Sequence, residues 1–349
     1  MTHPHLFWNI QNAYDYKLTM PQELEMEGEI KGDSELALRV MARKSQRLYQ
    51  KKKLNYRATV VEIMADAEAD LIGIVEFCVG KTEIYKQGIK VQEYVTNEHF
   101  GVGQLMISLN DRLKSHKMFY CAFSPLNTTD IVAYLEESGR ISTIVSKNTM
   151  FEMYGLLYNS SIFNAVNSQG AYTSRMELIN EKPFPGRFPG CIYLDSKTTE
   201  AQITYIINHS IYGGTRKTDI NKRKNTLHLL SQVIESLTTD HNGRKNELKI
   251  AIAGDFNLDW TEYETLYKVL SDSGMDTACI GDKKTSRVYG SVTDLHHAYD
   301  QIFIRNLSLG APKNFTGQAI DFADCYFEGN YGKAKYISDH LPVTSIIEF

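Results

Sequence analysis

Apolar residues fall along this chain in short runs, and most runs are closed by a polar side chain. "LFWNI" at 6–10 is a short apolar run that predicts a buried strand, with Asn9 inside it. "ADLIGIVEF" (69–77) repeats the pattern, and "RATVVEIMADAEA" before it has helical spacing. "MYGLLYNSSIF" (153–163) reads as a strand, a turn and the start of a second strand. "PGCIYLD" and "AQITYIINHS" read as paired strands across a polar turn. In "NKRKNTLHLLSQVIESL", Leu227, Leu230, Ile234 and Leu237 recur at helical spacing. "KIAIAGDFN" is a buried strand with a polar tip, and "AYDQIFI" and "LPVTSIIEF" are further strands. Many strands with a few interleaved helices predict an α/β or α+β sandwich.

Two segments break the pattern. Residues 21–33, "PQELEMEGEIKGD", alternate acid with apolar and predict a small excursion or hairpin. Residues 34–57 read as helical and carry eight Lys or Arg against one Glu. That segment is either a solvated helix face or an arm that contacts a polyanion. No internal repeat, low-complexity tract or domain linker interrupts the 349 residues.

Composition narrows the class. Hydrophobic residues make up 42%, enough for a sizeable core, and the net charge is −4. This balance excludes a globally basic nucleic-acid coat and leaves room for a local basic patch. The five cysteines, Cys78, Cys121, Cys191, Cys279 and Cys325, are widely spaced and form no CxxC. A disulfide framework or zinc site is not expected, and a reducing, cytoplasmic setting is. "MTHPHLFWNI" has no basic n-region or long apolar run, so no secretory signal is read. No window approaches the length of a membrane-spanning helix, and no membrane insertion is expected.

The chemistry is carried by the polar tips. Asn9 ends the first strand and Glu76 the second, and Glu152 opens the third. His209 ends "YIINHS", Asp255 and Asn257 end "IAIAGDFN", Asp300 begins "YDQIFI", and Asp339 and His340 precede the last strand. Singly, each is an ordinary solvated strand end, where Asp and Asn begin turns. As a set they suit hydrolysis of a phosphate ester. Such a reaction puts charge on equatorial phosphoryl oxygens, and a hard divalent cation on carboxylate and amide oxygens stabilises it. It also needs a base for water and an acid for the leaving oxygen. Two histidines oriented by carboxylates can supply both.

With "FWNIQN", "ADLIGIVEF", "EMYGLLY", "GRFPGCIYL", "INHSIY", "GDFNLD", "AYDQIFI" and "ISDHLPV" in this order, the chain resembles the endonuclease/exonuclease/phosphatase superfamily. "HHAYDQIFI" and "EMYGLLY" lean towards its deoxyribonuclease I branch. The resemblance runs from residue 6 to residue 349. It implies one domain over 1–349, with atypical insertions at about 16–53 and 81–150. The implied fold is an α/β (α+β) four-layer sandwich: two mostly antiparallel β-sheets face to face, with helices outside.

The resemblance also implies roles. Glu76 would be the principal metal ligand, with Asn9 beside it and Asp339 holding metal or water. Asp255 and Asn257 would flank the scissile phosphate and attacking water, with Asp255 also near metal. His340 would pair with Asp300, and His209 with Glu152. Arg187, in "GRFPG", would contact phosphate, since a guanidinium matches phosphate oxygens with two parallel hydrogen bonds. Mg²⁺ or Mn²⁺ is the implied cofactor, with Ca²⁺ as a structural alternative. The disulfides of extracellular members find no counterpart, because Trp260 follows "GDFNLD" and His297 precedes "AYDQ".

Other motifs have two readings each. His296 and His297 are either a metal-binding pair or a groove-facing or solvated pair. "IYGGTRKTDINKRKN" (211–225) either leads solvated into a helix or grips a phosphate backbone through Arg216, Lys217, Lys222, Arg223 and Lys224. It lacks P-loop spacing, and no serine has a GxSxG context. The expected activity is metal-dependent phosphodiester hydrolysis, with DNA the favoured substrate. One alternative is a phosphatase or phosphodiesterase for inositol phosphates, phospholipid head groups or nucleotides; another is a catalytically inactive binding module. Residues 16–57 are the expected contact for a regulatory partner or an oligomer.

Overall fold

The computed structural model describes residues 2–14, 56–80, 101–114, 119–125, 150–212, 216–239, 248–275, 280–286, 295–305, 317–330, 334 and 337–348. The acidic excursion at 21–33, nearly all of the basic segment at 34–57 and the expected insertion at 16–53 lie outside these residues.

One six-stranded sheet has the order β11-β12-β1-β2-β4-β3. Its strands are β1 (Thr2–Tyr14), β2 (Leu71–Gly80), β3 (Phe119–Pro125), β4 (Met150–Asn159), β11 (Gln318–Ala319) and β12 (Val343–Glu348). The second runs β10-β9-β8-β7-β5, with β6 also on β7. It comprises β5 (Phe163–Val166), β6 (Glu177–Leu178), β7 (Gly190–Ser196), β8 (Gln202–His209), β9 (Lys249–Asp255) and β10 (Asp300–Arg305). Among the described residues, β1–β2 and β8–β9 are the parallel pairs and the other pairings are antiparallel. The stretch 101–125 supplies a helix, α2 (Gly101–Leu113), and β3, which pairs with β4 at the sheet's margin.

The run-like hydrophobicity has a simple cause. Successive side chains of a strand point to opposite faces, and here both faces of the central strands are covered. From β1, Leu6, Trp8 and Ile10 enter one core with α1 (Tyr56–Asp66), α2 and α5 (Phe322–Phe327). Phe7 points the other way, into the core between the sheets, with Tyr154, Leu156, Tyr205, Ile207 and Ile302. A third core joins Ile206, Ile252 and Phe303 of the second sheet to α3 (Lys217–Thr238) and α4 (Trp260–Asp272). Helix, sheet, sheet, helix is the expected four-layer order. The predicted stripe of α3 faces inward at Leu227, Leu230 and Ile234, with Leu237 packed at its edge.

Two parallel pairs and one antiparallel partner gather the polar tips at one edge. In β1–β2, Asn9 lies opposite Val75, one residue before Glu76. In β8–β9, His209 lies opposite Asp255, and β10 brings Asp300 opposite the same Asp255. One sequence expectation needs correction here: Asn9 and Glu76 do not end their strands. β1 continues to Tyr14 and β2 to Gly80, and the register slips between Asn9 and Ala13 and between Ile74 and Phe77. A bulge re-aims a side chain without ending the ladder, so an internal strand position can carry a site residue.

The two sheets interlock beside Gly73. The Tyr205 hydroxyl bonds His5 Nε2 at 2.5 Å, and His5 Nδ1 lies 3.4 Å from Ser345 Oγ. Burial lowers the His5 pKa to about 3 and keeps the ring neutral. A Cβ on Gly73 would come within 2.5 Å of the Tyr205 hydroxyl and 3.4 Å of Phe7. Gly73→Ala should therefore destabilise the protein by ~1–3 kcal/mol, the usual cost of overpacking. Urea unfolding checks this; an unchanged midpoint would show that Tyr205 moves aside freely.

Candidate active site

The site begins at the bulge in β2. Glu76 sits at φ 57°, a left-handed conformation uncommon for a residue with a side chain. Such a backbone costs on the order of 1–3 kcal/mol and persists where the surroundings over-determine it. Here it sets the carboxylate beside Asn9, whose Nδ2 donates to Glu76 Oε1 at 3.2 Å and to Asp255 Oδ2 at 2.9 Å. Asn9 thus bridges carboxylates from the two sheets.

The turn after β9 positions the next pair. Asn257 lies at φ 50°, which asparagine tolerates better than most residues. Its backbone N–H donates to Asp255 Oδ1 at 2.8 Å, and its Nδ2 donates to the Ser210 carbonyl at 3.0 Å. The same carbonyl accepts from Arg187 Nη1 at 3.1 Å. Arg187 is therefore anchored next to the segment that follows His209.

Both histidines point at Asp255. His209 Nε2 lies 3.7 Å from Asp255 Oδ2 and 3.7 Å from Glu76 Oε1. His340 Nε2 lies 3.8 Å from Asp255 Oδ2 and 3.8 Å from Asp339 Oδ1. The far nitrogen of His340, Nδ1, meets Asp300 Oδ2 at 2.8 Å, the geometry of a carboxylate-oriented imidazole. Burial opposes charge on His340, but Asp300, Asp255 and Asp339 outweigh it and raise its pKa well above the ordinary value. The backbone of Glu152 lies in β4, and its side chain, with the expected pairing to His209, lies outside the described residues.

Several supporting residues are not among the expected site residues. Thr285 Oγ1 donates to Asp300 Oδ2 at 2.6 Å and accepts from the Asp300 N–H at 3.2 Å. It is fifteen residues from Asp300, so no motif links them. Ser338 Oγ donates to the Asn9 carbonyl at 2.7 Å and accepts from the His340 N–H at 2.9 Å. The serine two residues before His340 was a readable turn signal in "SDH". Asp259 caps α4 by accepting from the Thr261 N–H at 3.0 Å. The spacing from Asp259 to Glu262, a start signal for a helix, would have located α4. In the basic stretch after His209, Lys217 onwards is helical, Arg223 is buried, and Lys222 is turned to Asp219.

The donor set fits a hard divalent cation. Glu76, Asp255 and Asp339 offer carboxylate oxygens, the ligand type that Mg²⁺ and Mn²⁺ take. Burial pushes the Asp339 carboxyl up to about 6; His340 opposes this, and Glu76 and Asp255 reinforce it. Asp255, Asp300 and His340 also offer ligand atoms within 4.8 Å of one another. Asp300 Oδ2, however, already accepts from His340 and Thr285, which suits an orienting partner better than a ligand.

No family model matches this chain, and no curated protein matches it. Solved structures do. An endonuclease/exonuclease/phosphatase family protein from Leptotrichia buccalis has a TM-score of 0.52 at 14% identity, covering 99% of this chain and 100% of that one. The human Nocturnin catalytic domain with bound sulfate has 0.50 at 16%, covering 100% and 94%. ANGEL2, described as a 2′,3′-cyclic phosphatase, has 0.50 at 12%, covering 99% and 95%. The chain has the endonuclease/exonuclease/phosphatase fold, as the motifs implied.

The burial of Asp339 has a measurable consequence in cation-free protein. The pKa of Asp339 is raised on folding, so the stability it contributes is complete below the unfolded value and is lost as pH rises through about 6. His340 acts in the same sense: its raised value gives stability present at low pH and lost as pH rises. Added Mg²⁺ or Mn²⁺ should therefore raise the melting temperature more at pH 8 than at pH 5. Asp339→Asn should shrink the difference. A thermal-shift series checks it, and equal increments at both pH values would count against a cation site here.

Proposed function

We propose that this chain is a divalent-metal-dependent phosphodiesterase, with DNA its substrate and endonucleolytic cleavage its mode. The observation that carries the reading is the convergence of two imidazole Nε2 atoms, 3.7 and 3.8 Å from the same Asp255 oxygen, on one carboxylate cluster. An in-line displacement at phosphorus needs proton transfer on both sides of the transferred group. One imidazole takes a proton from the attacking water as its oxygen bonds to phosphorus. The other delivers a proton to the departing ester oxygen as its P–O bond breaks. Asp300 holds His340 in one tautomer, and Glu152 is assigned the same service to His209.

Glu76, Asp339 and Asp255 would hold the cation, with Asn9 tying Glu76 to Asp255 through its amide. When bound, Mg²⁺ or Mn²⁺ supplies Lewis-acid stabilisation of the charge on phosphoryl oxygens. Asn257 and Arg187 are assigned to the substrate phosphate, a reading supported by their proximity: the Asn257 amide and the Arg187 guanidinium both donate to the Ser210 carbonyl. Arg216 and Lys217, at the start of α3, are assigned to backbone phosphates of the substrate. The reading takes the chain as one catalytic domain in a reducing, cytoplasmic setting. Cys191 and Cys325 are free thiols, which suits that setting.

The ANGEL2 likeness favours a second reading, a phosphatase or phosphodiesterase for small phosphate esters on the same site. Salt separates the two, since a protein that neutralises several backbone phosphates weakens steeply as salt rises.

The test is nicking of supercoiled plasmid with Mg²⁺, Mn²⁺ or EDTA. Wild type should nick only with cation. His340→Ala should lose about 10²–10⁴-fold, the usual share of a proton-transfer group. Glu76→Ala should show no activity at cation concentrations that saturate wild type. A folded wild type that releases phosphate from small esters but leaves plasmid intact would replace the nuclease reading with the second one.

A further inference from the structure

His297 lies beside His296, with ring centroids 6.4 Å apart and tilted, but its hydrogen bond goes elsewhere. Its Nδ1 lies 2.8 Å from Asp259 Oδ2, on the loop between β9 and α4, and its ring stacks on Tyr299 at 4.5 Å with 2° between planes. Asp259 is used twice. Oδ1 takes the Thr261 hydroxyl at 2.7 Å and the Thr261 N–H at 3.0 Å, and Oδ2 takes His297. Burial pushes the Asp259 carboxyl up, but the Thr261 and His297 hydrogen bonds outweigh it and hold it below the usual carboxylate range.

The backbone of His297 is engaged as fully as its side chain. Its carbonyl accepts from the N–H groups of Thr285 at 2.8 Å and Ser286 at 3.0 Å, and its own N–H donates to the Ser286 carbonyl at 3.2 Å. Ser286 bridges to His297 and to His340. The Thr285 carbonyl accepts from the Leu341 N–H at 2.7 Å, while Thr285 Oγ1 grips Asp300. A continuous path therefore runs from Asp259 through His297 to the Thr285–Ser286 segment, and from there to Asp300 and His340. Its other end, Asp259, is two residues after Asn257, on the loop that carries Asp255.

We propose that Asp259 and His297 are positioning residues: their hydrogen bond clasps the Asp255–Asn257 turn to the Thr285–Ser286 segment and so holds His340 and Asp300 in register with Asp255. His297 does not itself touch the reacting phosphate. The proposal rests on the hydrolytic reading for its kinetic consequence, but its structural consequence can be read without catalysis.

The test uses the full chain and the His340 Nδ1 proton, which lies in the bond to Asp300. Such an imidazole proton gives a low-field NMR signal, assigned by its loss in His340→Ala. In His297→Ala that signal should vanish or shift. The kcat should fall roughly 10–100-fold with KM within about twofold, the pattern of a misplaced reacting group. His297→Asn keeps an N–H donor for Asp259 and should recover the signal and most of kcat, while His296→Ala should change neither. Should His297→Ala fail to fold, His297→Asn and His296→Ala are judged on the signal alone. An unaltered signal and kcat in a folded His297→Ala would overturn the clasp. So would a His297→Asn variant no better than alanine. A wild type with the signal but no hydrolysis would sink the proposed function and leave the clasp to be judged by the signal.

Discussion

A sheet covered on both faces has almost no freedom of register. Slipping β1 by one residue against β2 would swap Leu6, Trp8 and Ile10 with Phe7, moving side chains shaped for the helix layer into the inter-sheet core. The same holds for Ile206 against Tyr205 and for Phe303 against Ile302. This packing fixes which residues stand at the strand ends. The catalytic geometry proposed here follows from it: His209, Asp255 and Asp300 meet because the two ladders that join their strands are pinned elsewhere. Chemistry at one edge is held by hydrophobic contacts distributed over the whole sandwich.

The edge itself works against stability. Glu76, Asp255, Asp300 and Asp339 bring like charges together, and Glu76 and Asn257 adopt left-handed backbone. Concentrated charge and local strain are what a binding or catalytic site tolerates and a structural region avoids. The polar bridges limit the cost. Asn9 spans two carboxylates, and Ser210 collects Arg187 and Asn257 on one carbonyl.

Sequence reading recovered what is local or periodic. The doubly buried strands appear as runs, α3 as a stripe, and "GDFN" and "SDH" as polar tips closing apolar segments. It missed what depends on distant pairing. The bulge that places Glu76 inside β2 arises from a mismatch with β4, and a single strand's pattern does not record it. Thr285 has no motif around it; its role exists only because β10 returns Asp300 beside it. His297 read as one half of a histidine pair because its neighbour is adjacent in sequence, whereas its partner, Asp259, is thirty-eight residues away.

The seat of Tyr205 on Gly73 has a bearing on how such sequences diverge. The phenol fills the room that a side chain at 73 would need, and its hydroxyl is held by His5. Neither position can change alone without either a clash or a void, and loss of the phenol would strand a buried imidazole. Glycine, tyrosine and histidine therefore form one packing unit here, in which a change at any member is felt by the other two.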